Sequence, residues 1–159
     1  MPDLRIARAL ELYGIVESAD TGISQQASQR LSKALSCLET ALIIRYELQG
    51  PSHIDTVETL NRIARVELKQ KNFSGAKNSF FEVLKLREAI FGSYHPCVAT
   101  TARALAVTHC RLFEADAARF YFQSALRICE RNGVGQKNFA DVIRKDLHHL
   151  NSMRRRIEV

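Results

Sequence analysis

The sequence predicts an all-α chain built from a repeated pair of helices. Three observations carry this. Apolar residues recur at helical spacing along most of the 159 residues. Chain breakers are scarce, with 3 Pro and 7 Gly, which favours long helices over many turns. The middle of the chain also matches its own later half at a shift of 42 residues, the mark of a helical-repeat array.

Each element follows from its pattern. Residues 4–17 and 23–48 read as helices around Ser18-Ala19-Asp20-Thr21-Gly22. Over 54–70, Val57, Leu60, Ile63, Ala64 and Leu68 mark one helical face. Lys71-Asn72 makes a short turn. Phe73, Ala76, Phe80, Val83, Leu84 and Leu86 then mark a second helix over 73–90. The same alternation predicts helices over 96–112 and 115–131, with Pro96 at a helix start, where its missing N–H is harmless. Gly133 and Gly135 end that unit. Phe139, Ile143, Leu147 and Leu150 predict a last helix over 137–156.

The 42-residue match is residue by residue. Gly50 falls on Gly92, His53 on His95, Thr59 on Thr101, Ala64 on Ala106 and Ala76 on Ala118. Phe80 falls on Phe122, Leu84 on Leu126 and Glu88 on Glu130. Upstream, Ala34, Ala41, Leu42, Ile44 and Arg45 keep the register, but before residue 31 it fades. The sequence is therefore read as one domain over 1–159. It holds an atypical N-terminal unit (1–49), full repeats over 50–91 and 92–133, and a C-terminal capping helix over 137–156. Terminal units of such arrays are usually atypical, since one face meets water. Ala64 with Ala76, and Ala106 with Ala118, are expected where paired helices approach closely, with Phe80 and Phe122 filling the space beside them.

Composition limits the function classes. Hydrophobic residues are 46% of the chain, enough for a packed core. No apolar run approaches the roughly 18 residues that span a bilayer, and the first residues lack the apolar stretch of a signal peptide. A cytoplasmic protein is the expectation. Cys37, Cys97, Cys110 and Cys129 show no two-residue spacing and read as free thiols. His53 and His95, in phase 42 residues apart, read as loop or capping residues rather than metal ligands. Of His148-His149, one ring is expected to be buried or half-buried and the other exposed. Gly133-Val134-Gly135 lacks the strand and Lys of a phosphate loop. His109 and Cys110 are helix neighbours whose side chains diverge by about 100°. No cofactor or metal is implied, and no catalytic constellation assembles.

Gly92-Ser93-Tyr94-His95-Pro96, Gly50-Pro51-Ser52-His53-Ile54, Leu60-Asn61-Arg62-Ile63-Ala64, and Ala118 through Phe122 to Ala125-Leu126 together resemble tetratricopeptide repeats of the long, 42-residue kind found in kinesin light chains. Ala102 in place of a Leu and Ile54 in place of a Pro depart from that pattern. The resemblance implies a right-handed α-α superhelix that binds protein segments on a concave face lined by the first helix of each unit, without catalysis. The inward positions it implies are Glu58, Asn61, Arg65, Leu68 and Lys69, then Thr100, Arg103, Val107, Cys110 and Arg111, then Val142, Lys145, His149 and Met153.

The net charge of +6 favours acidic partners. Asn61, Arg65, Leu68, Lys69, Arg103, Val107, Arg111, Lys145 and His149 would form a basic peptide-binding groove. Its cations would grip the carboxylates of an acidic segment while Leu68 and Val107 take apolar contacts. Two other uses of the chain compete. A phosphate track for nucleic acid would use the same cations but lacks interleaved aromatics. A homodimer would join exposed apolar edges of the repeat array. The tail Met153-Arg154-Arg155-Arg156-Ile157-Glu158-Val159 reads as a charged helix end.

Overall fold

A computed structural model describes residues 3–19 and 25–157, with side chains over 3–18 and 26–152. Seven α-helices account for almost all of it: α1 Leu4–Ala19, α2 Gln25–Gln49, α3 Ile54–Lys69, α4 Phe73–Phe91, α5 Pro96–Arg111, α6 Ala115–Asn132 and α7 Lys137–Ile157. A single 3-10 turn, Gly133–Gln136, leads into α7. The helices fall within a residue or two of the positions expected from periodicity. The tail from Met153 onward lies outside the described side chains.

Two compact units result, Met1–Val83 and Leu84–Val159, and the division falls inside α4. In the first, α1 and α2 pack as an antiparallel pair and α3 packs on α2. Leu31, Leu38, Ile63 and Val66 form one buried cluster, and Ala7, Ala41 and Ile44 another. In the second, α5 pairs with α6 and α7 covers α6. Phe122, Leu105 and Ile143 are among its fully buried side chains.

Local chemistry starts and stops the helices in the same way in both units. His53 accepts the Asp55 N–H on Nδ1 at 3.2 Å, and His95 accepts the Cys97 N–H at the same distance. Each occupies the N-cap with extended backbone, φ −72° and ψ 141° or 142°. The in-phase histidines are therefore N-caps, satisfying amides that the helix itself leaves open. Gly50 and Gly92 close the preceding helices at φ 86° and 84°. Their N–H groups bond Tyr46 and Glu88 carbonyls at 3.1 and 2.9 Å, an arrangement that asks for left-handed backbone.

The turn inside each pair holds a non-glycine residue in that same left-handed region: Lys71 at φ 63° and Phe113 at φ 61°. A bulky aromatic there is strained, and Phe113 is 94% exposed, so packing returns nothing. Beside it His109, buried, bonds the Glu114 carboxylate through Nδ1 and stacks on Tyr121 at 5.2 Å. At the matching place in the first unit, Glu67 accepts from Ser79 Oγ at 2.8 Å. Burial pushes the Glu67 carboxyl above its ordinary value, with the Ser79 bond opposing that and the Glu39 charge adding to it.

The N-terminal pair obeys the repeat despite the faded sequence match. α1, α3 and α5 each have 16 residues. However, α3 begins 50 residues after α1, whereas α5 begins 42 after α3. The longer α2 and the longer α1–α2 connection account for the difference. At the 50-residue offset Leu10-Glu11-Leu12-Tyr13-Gly14 lies on Leu60-Asn61-Arg62-Ile63-Ala64. Gly14 then stands where Ala64 and Ala106 stand. A Cβ added to Gly14 would sit 2.9 Å from Leu38 Cγ and 3.1 Å from the Ala34 carbonyl oxygen, so the two helices touch there. Ala64, Ala76, Ala106 and Ala118 are all fully buried, as expected of close-approach positions.

A buried arginine joins successive helices in each unit. Arg45 on α2 bonds Glu11 Oε2 at 2.8 Å and Asp55 Oδ2 at 3.1 Å. Its 42-residue counterpart, Arg87, donates to Thr101 Oγ1 at 2.7 Å and to the Cys97 carbonyl at 3.2 Å. At the next step the same position is Cys129, buried and apolar. On α7, His148 replaces the small residue of the other first helices, and both His148 and His149 are exposed. The expectation that one of them is buried fails because α7 has no following helix packed on that face among the described residues.

Three measurements check this account. Phe113→Gly should raise stability by about 1 kcal/mol, read as a higher urea midpoint at unchanged slope, because glycine relieves the left-handed strain. Glu11→Ala should lower stability by about 3–5 kcal/mol, because it strips a buried arginine of one partner. Glu67 titrates in the folded state above its unfolded value. Its protonated form is therefore favoured by folding, and stability is lost as pH rises through the folded value. Glu67→Gln should raise the melting midpoint at pH 7 and make little difference below the unfolded carboxylate range, about pH 4.

Candidate functional site

The residues expected to line a groove divide between the two units. Asn61, Arg65, Leu68 and Lys69 belong to the first, and Arg103, Val107, Arg111, Lys145 and His149 to the second. In the first unit, two recesses lie along the face shared by α1 and α3. One, about 380 Å³, is lined by Ile15 and Ser18 of α1, Leu38 of α2, and Glu58, Arg62, Arg65, Val66 and Lys69 of α3. The other, about 460 Å³, also borders Glu58 and Arg62 and adds Leu4, Arg8, Glu11 and Leu12 of α1, with Arg45, Gln49 and Asp55.

Helix α3 supplies the cations because its exposed face repeats them three to four residues apart, at 62, 65 and 69. Arg65 is exposed. Lys69 reaches back to donate to the Ser18 carbonyl at 2.6 Å, placing its charge at the C-terminal end of α1, where the helix dipole is negative. Arg62 approaches Glu11 at 3.4 Å and Glu58 at 3.7 Å, which offsets its charge. Leu68 is half-buried, and Asn61 is buried and donates to Glu58 at 3.4 Å, so Asn61 offers little surface to a partner. The apolar floor comes from Ile15, Leu38 and Val66.

In the second unit one candidate cation is neutralised and the others are exposed. Arg103 Nε bonds Asp146 Oδ2 at 2.7 Å, both partly buried. Arg111, Lys145 and His149 are exposed, and Val107 is half-buried. Burial, with the Asp146 charge adding to it, pushes the Cys110 thiol up, and burial does the same to Cys129. Protonated thiols are poor nucleophiles. His109, adjacent to Cys110 in sequence, is engaged with Glu114 and Tyr121. None of the four cysteines is in a disulfide. Among the described residues no three of His, Cys, Asp and Glu gather as a metal site, and no helix is long and apolar enough to cross a membrane.

Sequence reasoning missed the α1 contribution: Arg8, Leu12, Ile15 and Ser18 face the recesses. It also left out Arg62. The 50-residue offset would have found them, since it places Arg8, Glu11, Ile15 and Ser18 at the phases of Glu58, Asn61, Arg65 and Leu68.

Comparisons with known proteins agree with this architecture. Residues 76–131 match the tetratricopeptide repeat family model. No curated protein sequence matches the chain. Among solved structures, BtubC (BKLC) from P. vanneervenii superposes with a TM-score of 0.81 at 19% identity, over 94% of this chain and 57% of that one. A candidate kinesin light chain from Podosopora anserina with nearly identical TPR-like repeats superposes at 0.77 and 13% identity, over 94% of this chain and 67% of that one. At these identities the likeness is one of fold, and the chain spans little more than half the length of the first. Residues 76–131 carry the tetratricopeptide-repeat signature, and the chain, with paired helices capped and closed alike at 42-residue steps, shares the helical-repeat fold of these kinesin-light-chain-like structures.

Proposed function

We propose that the chain is a non-catalytic scaffold that binds an acidic segment of another protein on the α1–α3 face of its first unit. The observation that supports this most is the coincidence of exposed Arg65 and Lys69 with an apolar floor of Ile15, Leu38 and Val66 in one recess. Carboxylates of an extended segment would meet the cations, and an apolar side chain would meet the floor. Arginine favours this use, because its planar fork grips a carboxylate with two parallel bonds. Tetratricopeptide repeats serve in general as protein-interaction modules, and high thiol pKa values at Cys110 and Cys129 argue against nucleophilic chemistry there. Cysteines outside disulfides suit a reducing, cytoplasmic setting. The second-unit positions Arg103, Val107, Arg111, Lys145 and His149 would play a lesser part, since Arg103 is already neutralised by Asp146.

Binding of acidic and basic peptide libraries across a salt series tests the reading. An acidic peptide carrying an apolar residue should bind and weaken as salt rises from about 50 to 200 mM. Arg65→Glu should reduce that affinity more than tenfold, and Arg103→Glu much less. Equal binding by wild type and Arg65→Glu would sink the proposal. Preference for an oligonucleotide with a steep salt slope would replace it with nucleic-acid recognition.

A further inference from the structure

The two histidine-capped helix starts differ in one group. In the first unit His53, Asp55 and Arg45 meet: Asp55 Oδ2 lies 3.1 Å from Arg45 Nη1 and 4.0 Å from His53 Nδ1. In the second unit, His95, Cys97 and Arg87 hold the same three positions of the repeat. Arg87 is again buried and again reaches the start of the following helix, through the Cys97 carbonyl at 3.2 Å and Thr101 Oγ1 at 2.7 Å. Where the first unit carries a carboxylate, the second carries a thiol.

That thiol stands beside a base. Its Sγ lies 2.9 Å from His95 Nδ1. The same nitrogen accepts the Cys97 N–H at 3.2 Å, so it bears a lone pair and the ring proton sits on Nε2. The thiol proton therefore points at an open acceptor. Stacking on Phe91, with ring centroids 4.7 Å apart, holds the imidazole in place. Cys97 follows Pro96 in the first turn of α5, where the helix dipole favours negative charge, and it is partly exposed. The other thiols lack this setting. Burial pushes Cys110 and Cys129 up, and Cys37 lies in the middle of α2.

We propose that Cys97 is a modification site, a peroxide-sensitive thiol whose sulfinate supplies the anion that Asp55 supplies in the first unit. His95 takes the thiol proton. The thiolate attacks one oxygen of hydrogen peroxide and the O–O bond breaks. The departing hydroxide takes the proton from His95, leaving a sulfenic acid and water. A second peroxide carries the sulfur to the sulfinic acid, releasing another water, and the acid ionises. Each step takes two electrons from sulfur and gives them to peroxide. The Cβ–SO2− product has the connectivity and charge of the Cβ–CO2− group of aspartate. It stands beside buried Arg87, and charge-assisted hydrogen bonds are stronger than those to a neutral group. The mark thus tightens the second unit where Arg87 meets the start of α5. None of these residues belongs to the proposed peptide site.

Peroxide titration of the full chain, with each cysteine followed by peptide mass mapping and with thermal melts alongside, tests this. Cys97 should gain one and then two oxygens about tenfold faster than Cys37, Cys110 or Cys129. The chain oxidised at Cys97 should melt about 2–4 °C higher than the untreated chain. Cys97→Asp should give the same rise without peroxide, and Cys97→Ser should abolish the response to it. His95→Asn, which keeps a capping acceptor, should slow Cys97 oxidation severalfold. Oxidation of Cys97 no faster than that of the other three thiols overturns the proposal. So does a disulfide in place of the two-oxygen product, or a melting temperature that stays level or falls on oxidation. Wild-type rates in His95→Asn overturn the role of His95 as the base.

Discussion

The structure hangs on how closely one helix can approach the next. At Gly14 the backbone of α2 is near enough that a methyl group would collide with Leu38 and the Ala34 carbonyl. At the matching positions of the later pairs, alanines are completely buried. Because the approach is fixed at one point per pair, the remaining positions have fixed partners. Phe80 and Phe122 are buried beside it, and the polar sides of the first helices are left facing outward.

The second constraint is electrostatic. Arg45 and Arg87 are taken out of water and must be answered locally. Arg45 is answered by carboxylates of Glu11 and Asp55, and Arg87 by the neutral oxygens of Thr101 and Cys97. Where the arginine is replaced by Cys129, its neighbour position across the helices is the apolar Ile143, also buried. A polar seam has become an apolar one without changing the repeat. These buried groups share the Glu11 region with the exposed cations of α3, so the candidate peptide site rests on the same framework that holds α1, α2 and α3 together.

Charge along the first helices of the pairs is less uniform than a count of Arg and Lys suggests. Arg62 and Arg103 are offset by carboxylates, Lys69 closes the end of α1, and Arg65 remains the clearest exposed cation of the first unit.

Helix number, boundaries and repeat phase were legible in the sequence, because they follow from periodicity and from local residues: His53 and His95 as caps, Gly50 and Gly92 as terminators, Pro96 as a starter. Each acts within a few residues along the chain, so no distant partner had to be known. The N-terminal pair was hidden only by its register, since a longer α2 and connection moved α1 to a 50-residue offset. Tertiary structure alone decided which charges are free. Asp146 lies 43 residues from Arg103, and Ser18 lies 51 from Lys69. Helical phase tells which residues share a face, but whether a face meets water, a carboxylate or another helix depends on elements distant in the chain.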